Sequence, residues 1–179
     1  MELLHEPIPG VLELRARVTE DSRGSFAETF SRRTMAKFGV DMEFCQDNES
    51  YSATKGTVRG LHLQTEPHAQ GKLVRVLQGA IFDVAVDVRP DSPTFREHAT
   101  IELAAGDNRA VWIPPGFAHG FCTLADHTVV TYKVTTSTPP RPSEASGSTI
   151  PNSRSPGRSS ATPPCCPTRT LPPHRSPRF

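Results

Sequence analysis

Arg59, His62, His68 and Lys72 fall within "RGLHLQTEPHAQGKLVRVLQG", residues 59–79, a stretch that otherwise alternates apolar and polar residues as a strand does. Imidazole, ammonium and guanidinium groups in so short a run could form a solvated strand face, a metal site, or an apparatus that moves protons beside an anion. Side chains at even separation share a strand face, so Gly60, His62 and Gln64 are expected on one side and Arg59, Leu61 and Leu63 on the other. A lone strand histidine is more often solvated or hydrogen-bonded than catalytic. Three further residues shift that reading: Lys72 on the next strand after a turn at Gly71, His119 after "IPPGFA", and Tyr132 in "TVVTYKV". Burying such groups without partners costs on the order of 1–3 kcal/mol each, so a lumen that collects them implies a use for them.

The elements that must carry these residues read mostly as β. A period of two runs through "VLELRARV", "KLVRVLQ", "AIFDVAVDVR", "ATIEL", "RAVWI" and "TVVTYKV". Along residues 80–89, one face carries Phe82, Val84, Val86 and Val88. The other carries Ile81, Asp83, Ala85, Asp87 and Arg89, as a barrel strand with a polar lumen or a wet face would. One short helix is expected over residues 32–38, with Ser31 as its N-cap and Gly39 as its stop. Breakers at Gly56, Gly71, Gly79, "RPDSPT", "AGDN" and "PPG" separate the strands at the spacing of a sandwich or barrel. The expected fold is therefore all-β, a cupin-type jelly-roll barrel with one short helix.

A chain of 179 residues with 35% hydrophobic content suffices for one domain with a substantial core. No leader-like apolar run and no stretch of about 20 apolar residues is present, so a cytoplasmic protein without a membrane segment is expected. Cys45, Cys122, Cys165 and Cys166 show no repeated CxxC spacing, which indicates neither a disulfide framework nor a zinc knuckle. The net charge of +1 conceals a split: residues 1–136 hold 14 Lys+Arg against 18 Asp+Glu, whereas residues 137–179 hold six Arg and one acid. That second segment has 11 of the 18 prolines and nine serines, a composition that cannot bury enough surface to fold. It is read as a disordered Pro/Ser/Arg-rich tail, and without an aromatic to stack on bases it gives little support to a nucleic-acid arm.

The segments "DSRGSFAETF", "QDNESYSATKGTVRGLH", "AQGKLVRVLQGAIFDVAVDVRPDSPTF" and "WIPPGFAHGF" together resemble the dTDP-4-dehydrorhamnose 3,5-epimerase family across about residues 1–136. The resemblance implies a homodimeric cupin-like jelly roll that works without metal or cofactor. The family epimerises dTDP-4-dehydro-6-deoxy-D-glucose at C3 and C5 to dTDP-4-dehydro-L-rhamnose, in L-rhamnose or antibiotic-sugar biosynthesis. A proton α to a ketone is weakly acidic, so such an enzyme needs a positioned base, a group that stabilises the enolate oxygen, and an acid on the opposite face. By the resemblance these are His62, Lys72 and Tyr132 respectively, with His119 lining the sugar pocket. Arg23, Phe26, Glu28, Gln46, Asn48 and Arg59 match the family's nucleotide-binding positions, and arginine's planar fork suits a diphosphate.

Three alternatives stand beside this reading: an enzyme that epimerises at C3 or C5 alone, a metal-dependent cupin enzyme, and an inactive carbohydrate-binding relative. For the metal, His62, Glu66, His68 and His119 supply suitable ligand types. However, metal cupins usually present an HxH pair on one strand, and here that position reads "HLQ".

The resemblance stops at "YKVT". The family continues with a segment of the form "ERG…W…DP…I.WP" and then an "LS(E/D)KD" segment whose Asp orients the base histidine; neither appears. GC-rich codons for "SEASGSTIPNSRSPG", read in a shifted frame, give "RGVRVHDPELAIPW", and the same frame through "CCPTRT" permits "LSDKD". The expectation is that a frame shift near residues 135–137 replaced the family's C-terminal segment and left His62 without its carboxylate.

Overall fold

In the computed structural model, residues 1–137 are described and form twelve strands and one helix. The expected tail, residues 137–179, lies outside the described residues except for Ser137. The strands make three antiparallel sheets. In the six-stranded sheet, β1 (Glu2–Ile8), β2 (Val11–Arg15), β10 (Arg109–Ile113), β7 (Lys72–Gln78), β12 (Thr128–Val134) and β5 (Gln46–Ser52) follow one another. The four-stranded sheet runs β6 (Val58–His62), β11 (Phe117–Thr123), β8 (Ala80–Asp87) and β9 (His98–Ala104). The hairpin β3 (Val18–Asp21) with β4 (Gly24–Ala27) stands by itself.

The two larger sheets face each other across one core. Val11, Val74, Val76, Val111, Ile113 and Val130 from the first pack with Ile81, Ala85, Ile101, Leu103, Phe117 and Phe121 from the second. A second cluster, Leu12, Leu14, Leu73, Ala110 and Trp112 with Met35 and Val40, covers the outer face of the six-stranded sheet. Both faces of that sheet are thus dry, which is why "KLVRVLQ" and "RAVWI" bury residues on both sides and their alternation is blurred. Helix α1 (Arg32–Ala36) supplies Met35 to this outer cluster; Ser31 caps it, its hydroxyl accepting from the Thr34 amide at 3.4 Å. The helix is shorter than expected because Lys37, Phe38 and Gly39 bond three residues back rather than four, and Gly39 then leaves at φ +80°.

Other expectations need adjustment. The run "VLELRARV" is not one strand: it ends at Arg15, where the Ala16 amide turns to the Asn108 carbonyl at 2.8 Å, and β3 begins at Val18. On β8 the buried side is Ile81, Asp83, Ala85 and Asp87, so of the two arrangements left open the polar-lumen one is present. Among the described residues, no helix is long and apolar enough to cross a membrane.

Candidate active site

Alternation aims a specific set of side chains into the space between the sheets. Lys72 shares its row on β7 with the core residues Val74 and Val76, and Tyr132 shares its row on β12 with Val130 and Val134. From the other wall, His119 lies between Phe117 and Phe121 on β11, and Asp83 between Ile81 and Ala85 on β8. One pocket is lined by Ser50, Arg59, His62, Lys72, His119, Gly120, Phe121 and Tyr132. It brings together five of the expected site residues: Arg59, His62, Lys72, His119 and Tyr132.

Arg59 and His62 were expected on opposite strand faces, and the pocket shows otherwise. His62 pairs with His119 and Arg59 with Phe121, so three steps along β6 match two along β11. This extra residue is a β-bulge, and it returns Arg59 to the side of His62. Two glycines allow it. Gly60 has φ +113°, and a Cβ there would lie 2.6 Å from the Gly120 Cα; a Cβ on Gly120 would lie 2.7 Å from the Arg59 carbonyl oxygen. No side chain fits where these backbones cross.

The electrostatics of the pocket centre on a residue that the sequence reading left out of the site. Asp83 is 2% exposed, and its Oδ2 lies 2.8 Å from His119 Nε2, itself buried. A buried carboxylate needs a partner, and His119 is that partner. Burial holds the Lys72 ammonium below the ordinary lysine range, while the charge of Asp83 opposes this and favours the protonated form. The signal for Asp83 was its polarity on the lumen face of β8; its partner lies 36 residues away in the chain.

Arg59 is held by its Nε on Ser52 Oγ at 3.1 Å and its Nη2 on the Tyr51 carbonyl at 2.8 Å. His62 is on an exposed strand, and its imidazole has no hydrogen-bond partner among the described residues. Gln46 and Asn48 lie on the inward row of β5, where Gln46 Nε2 donates to Asn48 Oδ1 at 2.7 Å.

Five expected residues are not among those lining this pocket: Gln46 and Asn48, which stay on the row of β5 just described, and Arg23, Phe26 and Glu28. Arg23 and Phe26 line a separate cleft on the β3–β4 hairpin with Thr19, Asp21, Gly24 and Ser25, and Glu28 follows that hairpin on the surface. Phe26 is 74% exposed, and Arg23 is paired with Asp21 at 2.5 Å. Of the ligand types considered for a metal, Glu66 lines a different cleft and His68 sits on an exposed turn. No group of three or more metal-ligating side chains is present among the described residues.

An all-β sandwich of jelly-roll, cupin-like type thus brings imidazole, phenol and ammonium groups together between its sheets, an arrangement that can move protons beside an anion. The family profile described as dTDP-4-dehydrorhamnose 3,5-epimerase matches residues 5–147. The Shigella flexneri enzyme of that name is 49% identical over 134 residues, 74% of each chain. The Bacillus anthracis enzyme, crystallised with TDP and pyrophosphate bound, superposes with a TM-score of 0.75 at 46% identity, covering 76% of this chain and 78% of that one. The Legionella pneumophila epimerase in complex with dTDP-4-keto-L-rhamnose gives a TM-score of 0.72 at 40% identity, covering 76% and 72%. The chain belongs to the dTDP-4-dehydrorhamnose 3,5-epimerase family. It is an isomerase of the cupin-like, all-β kind.

Proposed function

We propose that the chain epimerises dTDP-4-dehydro-6-deoxy-D-glucose at C3 and C5, giving dTDP-4-dehydro-L-rhamnose, with His62 as base, Lys72 at the enolate oxygen and Tyr132 as acid. The observation that carries this division of labour is that His62 and Tyr132 come from opposing sheets yet line one pocket with Lys72. Inversion needs a proton removed from one face of a carbon and returned to the other, and two walls supply two faces.

At C5, His62 takes the proton, the C–H electrons move into the C4 carbonyl, and negative charge develops on O4 beside the Lys72 ammonium. The Tyr132 phenol then delivers a proton to the opposite face as the carbonyl re-forms. The imidazolium and phenolate reset through solvent, and the cycle repeats at C3. No oxidant, metal or cofactor enters the balance. His119, fixed by Asp83, lines the sugar pocket, and Arg59, anchored at two points, presents its remaining edge to the diphosphate.

The nucleotide contacts assigned by resemblance to Arg23, Phe26 and Glu28 lie outside the pocket of the same chain. A homodimer in which one copy's β3–β4 hairpin completes its partner's site accounts for this and for the exposure of Phe26. The family resemblance leads one to expect a carboxylate beside His62, and the lack of such a group can cost about 10⁴-fold in an analogous base–carboxylate pair. The test compares this chain with a second chain ending in the family's C-terminal segment. Each is incubated with the 4-keto sugar in deuterium oxide and followed by NMR at C3 and C5. Exchange at both carbons, faster in the second chain, is expected; exchange at one carbon only would make the protein a mono-epimerase, and none in either chain would refute the reading.

A further inference from the structure

The inward row of β5 is polar throughout: Gln46, Asn48, Ser50 and Ser52. A polar row that faces the inside of a sandwich must find partners. Gln46 bonds Asn48, and Ser52 Oγ accepts from Arg59. Ser50 differs, because its hydroxyl oxygen is buried and has no hydrogen-bond partner among the described residues. That hydroxyl belongs to a residue lining the pocket with Arg59, His62, Lys72 and Tyr132.

The register fixes where along the pocket it stands. Gln46 is level with Val134 and Lys72, Asn48 with Tyr132, and Ser50 with Val130 and Val76. One step further on the same row is Ser52, to which Arg59 is tied. Ser50 therefore stands between the level of the phenol and the guanidinium.

We propose that Ser50 is a substrate-binding residue, its Oγ–H donating to a substrate oxygen that lies between the keto carbon and the diphosphate. This rests on the epimerase reading. Two oxygens have the right chemistry: a hydroxyl of the hexose and an oxygen of the sugar-side phosphate. Both are acceptors that would complete the bond Ser50 leaves unmade among the described residues, and an orphaned buried hydroxyl is retained where a ligand supplies its partner. A serine that served only the fold would be hydrogen-bonded within it, as Ser52 is.

The test is Ser50→Ala in the full chain, with titration calorimetry of dTDP and of dTDP-glucose and thermal unfolding of both proteins. Ala removes an unpaired hydroxyl, so Tm stays the same or rises, while affinity for dTDP-glucose falls about tenfold, the order expected for one hydrogen bond. Unchanged dTDP affinity assigns the bond to the hexose, and an equal loss with dTDP assigns it to the phosphate. Equal dTDP-glucose affinity in both proteins would overturn the Ser50 inference and leave the epimerase reading intact. A lowered Tm with unchanged affinity would make the residue structural and overturn the inference equally. If the unsubstituted chain binds neither dTDP nor dTDP-glucose, the epimerase reading fails and takes this inference with it.

Discussion

His62 stands directly opposite His119 on an antiparallel rung of the four-stranded sheet, and one rung on, Arg59 stands opposite Phe121. The extra residue packed between those two rungs is what places a cation and the proposed base on one side of β6. The placing of Arg59 beside His62 on one wall of the site depends on that local bulge.

Gly60→Ala therefore disturbs the site as well as the fold. The new Cβ would meet the Gly120 Cα and the His119 carbonyl oxygen, at 2.6 and 2.7 Å, in a backbone conformation with φ +113°. Gly56→Ala is the control, because its φ of +80° carries similar strain but nothing lies within 4 Å. The expectation is a loss of about 1 kcal/mol for Gly56→Ala from backbone strain alone. Gly60→Ala adds about 2 kcal/mol more from steric clash, together with loss of proton exchange. Denaturant melts and exchange rates on both variants check this.

Lys72 is protonated in the folded chain only at a lower pH than a free lysine would need, because burial disfavours its charge. Between that lowered pKa and the ordinary lysine range, the unfolded state binds the proton that the folded state has released. Stability attributable to Lys72 accordingly rises with pH in that window. Activity runs the other way, since the enolate needs the ammonium. Lys72→Met should lower kcat about 10²- to 10³-fold, the scale of one oxyanion-stabilising group, without lowering Tm. A Tm that fell along with the rate would point to a structural lysine instead.

Asp83 acts on Lys72 as well as on His119. Asp83→Asn keeps a hydrogen-bonding group near His119 but removes the charge that favours the Lys72 ammonium. The alkaline limb of the pH–rate profile should move to lower pH. Asp83→Ala leaves His119 buried without its partner and costs about 1–3 kcal/mol in addition. An unmoved alkaline limb in Asp83→Asn would separate Lys72 from Asp83.

Asp87, fully buried, accepts from Arg89, Ser92 and Thr94, the Arg89 bond foremost, and its carboxyl is held well below the ordinary aspartate range. Because the folded-state pKa is depressed, its stabilisation is complete above roughly pH 4, where the unfolded side chain is also ionised. It is lost progressively as the pH falls below that value toward the folded-state pKa. Asp87→Ala should cost about 3 kcal/mol at neutral pH and flatten the acid limb of the stability curve. Urea melts from neutral pH down to about pH 2 measure both effects.

The site was legible in the sequence where alternation ran unbroken. Lys72 and Tyr132 lie in alternating runs whose neighbours are core residues, so period-two reasoning carried them toward the lumen, and on β8 it separated Ile81, Asp83, Ala85 and Asp87 from the outward valines. His119 lies on β11, which is buried on both sides and shows no alternation, and its place in the pocket was implied only by the family resemblance. Period-two reasoning failed at Arg59, because the bulge that reverses its direction comes from two glycines in different strands meeting, and that contact is invisible along one strand. Asp83 was seen as a polar lumen residue but not as the partner of His119, since pairing across strands needs the register. The all-polar row of β5 gave no apolar alternation to read, so Ser50 was passed over. Arg23, Phe26 and Glu28 were grouped with the pocket by resemblance, yet within one chain their hairpin does not reach it.

The central claim, that His62 and Tyr132 work from opposite walls, is tested most directly by Tyr132→Phe in deuterium oxide. His62 stays on its exposed strand and can exchange its captured proton with solvent. Without the phenol, deuterium should wash into recovered substrate at C5 with its configuration retained, while His62→Asn incorporates none. Inversion at C5 by Tyr132→Phe at the parent rate, or exchange by His62→Asn, would contradict the account.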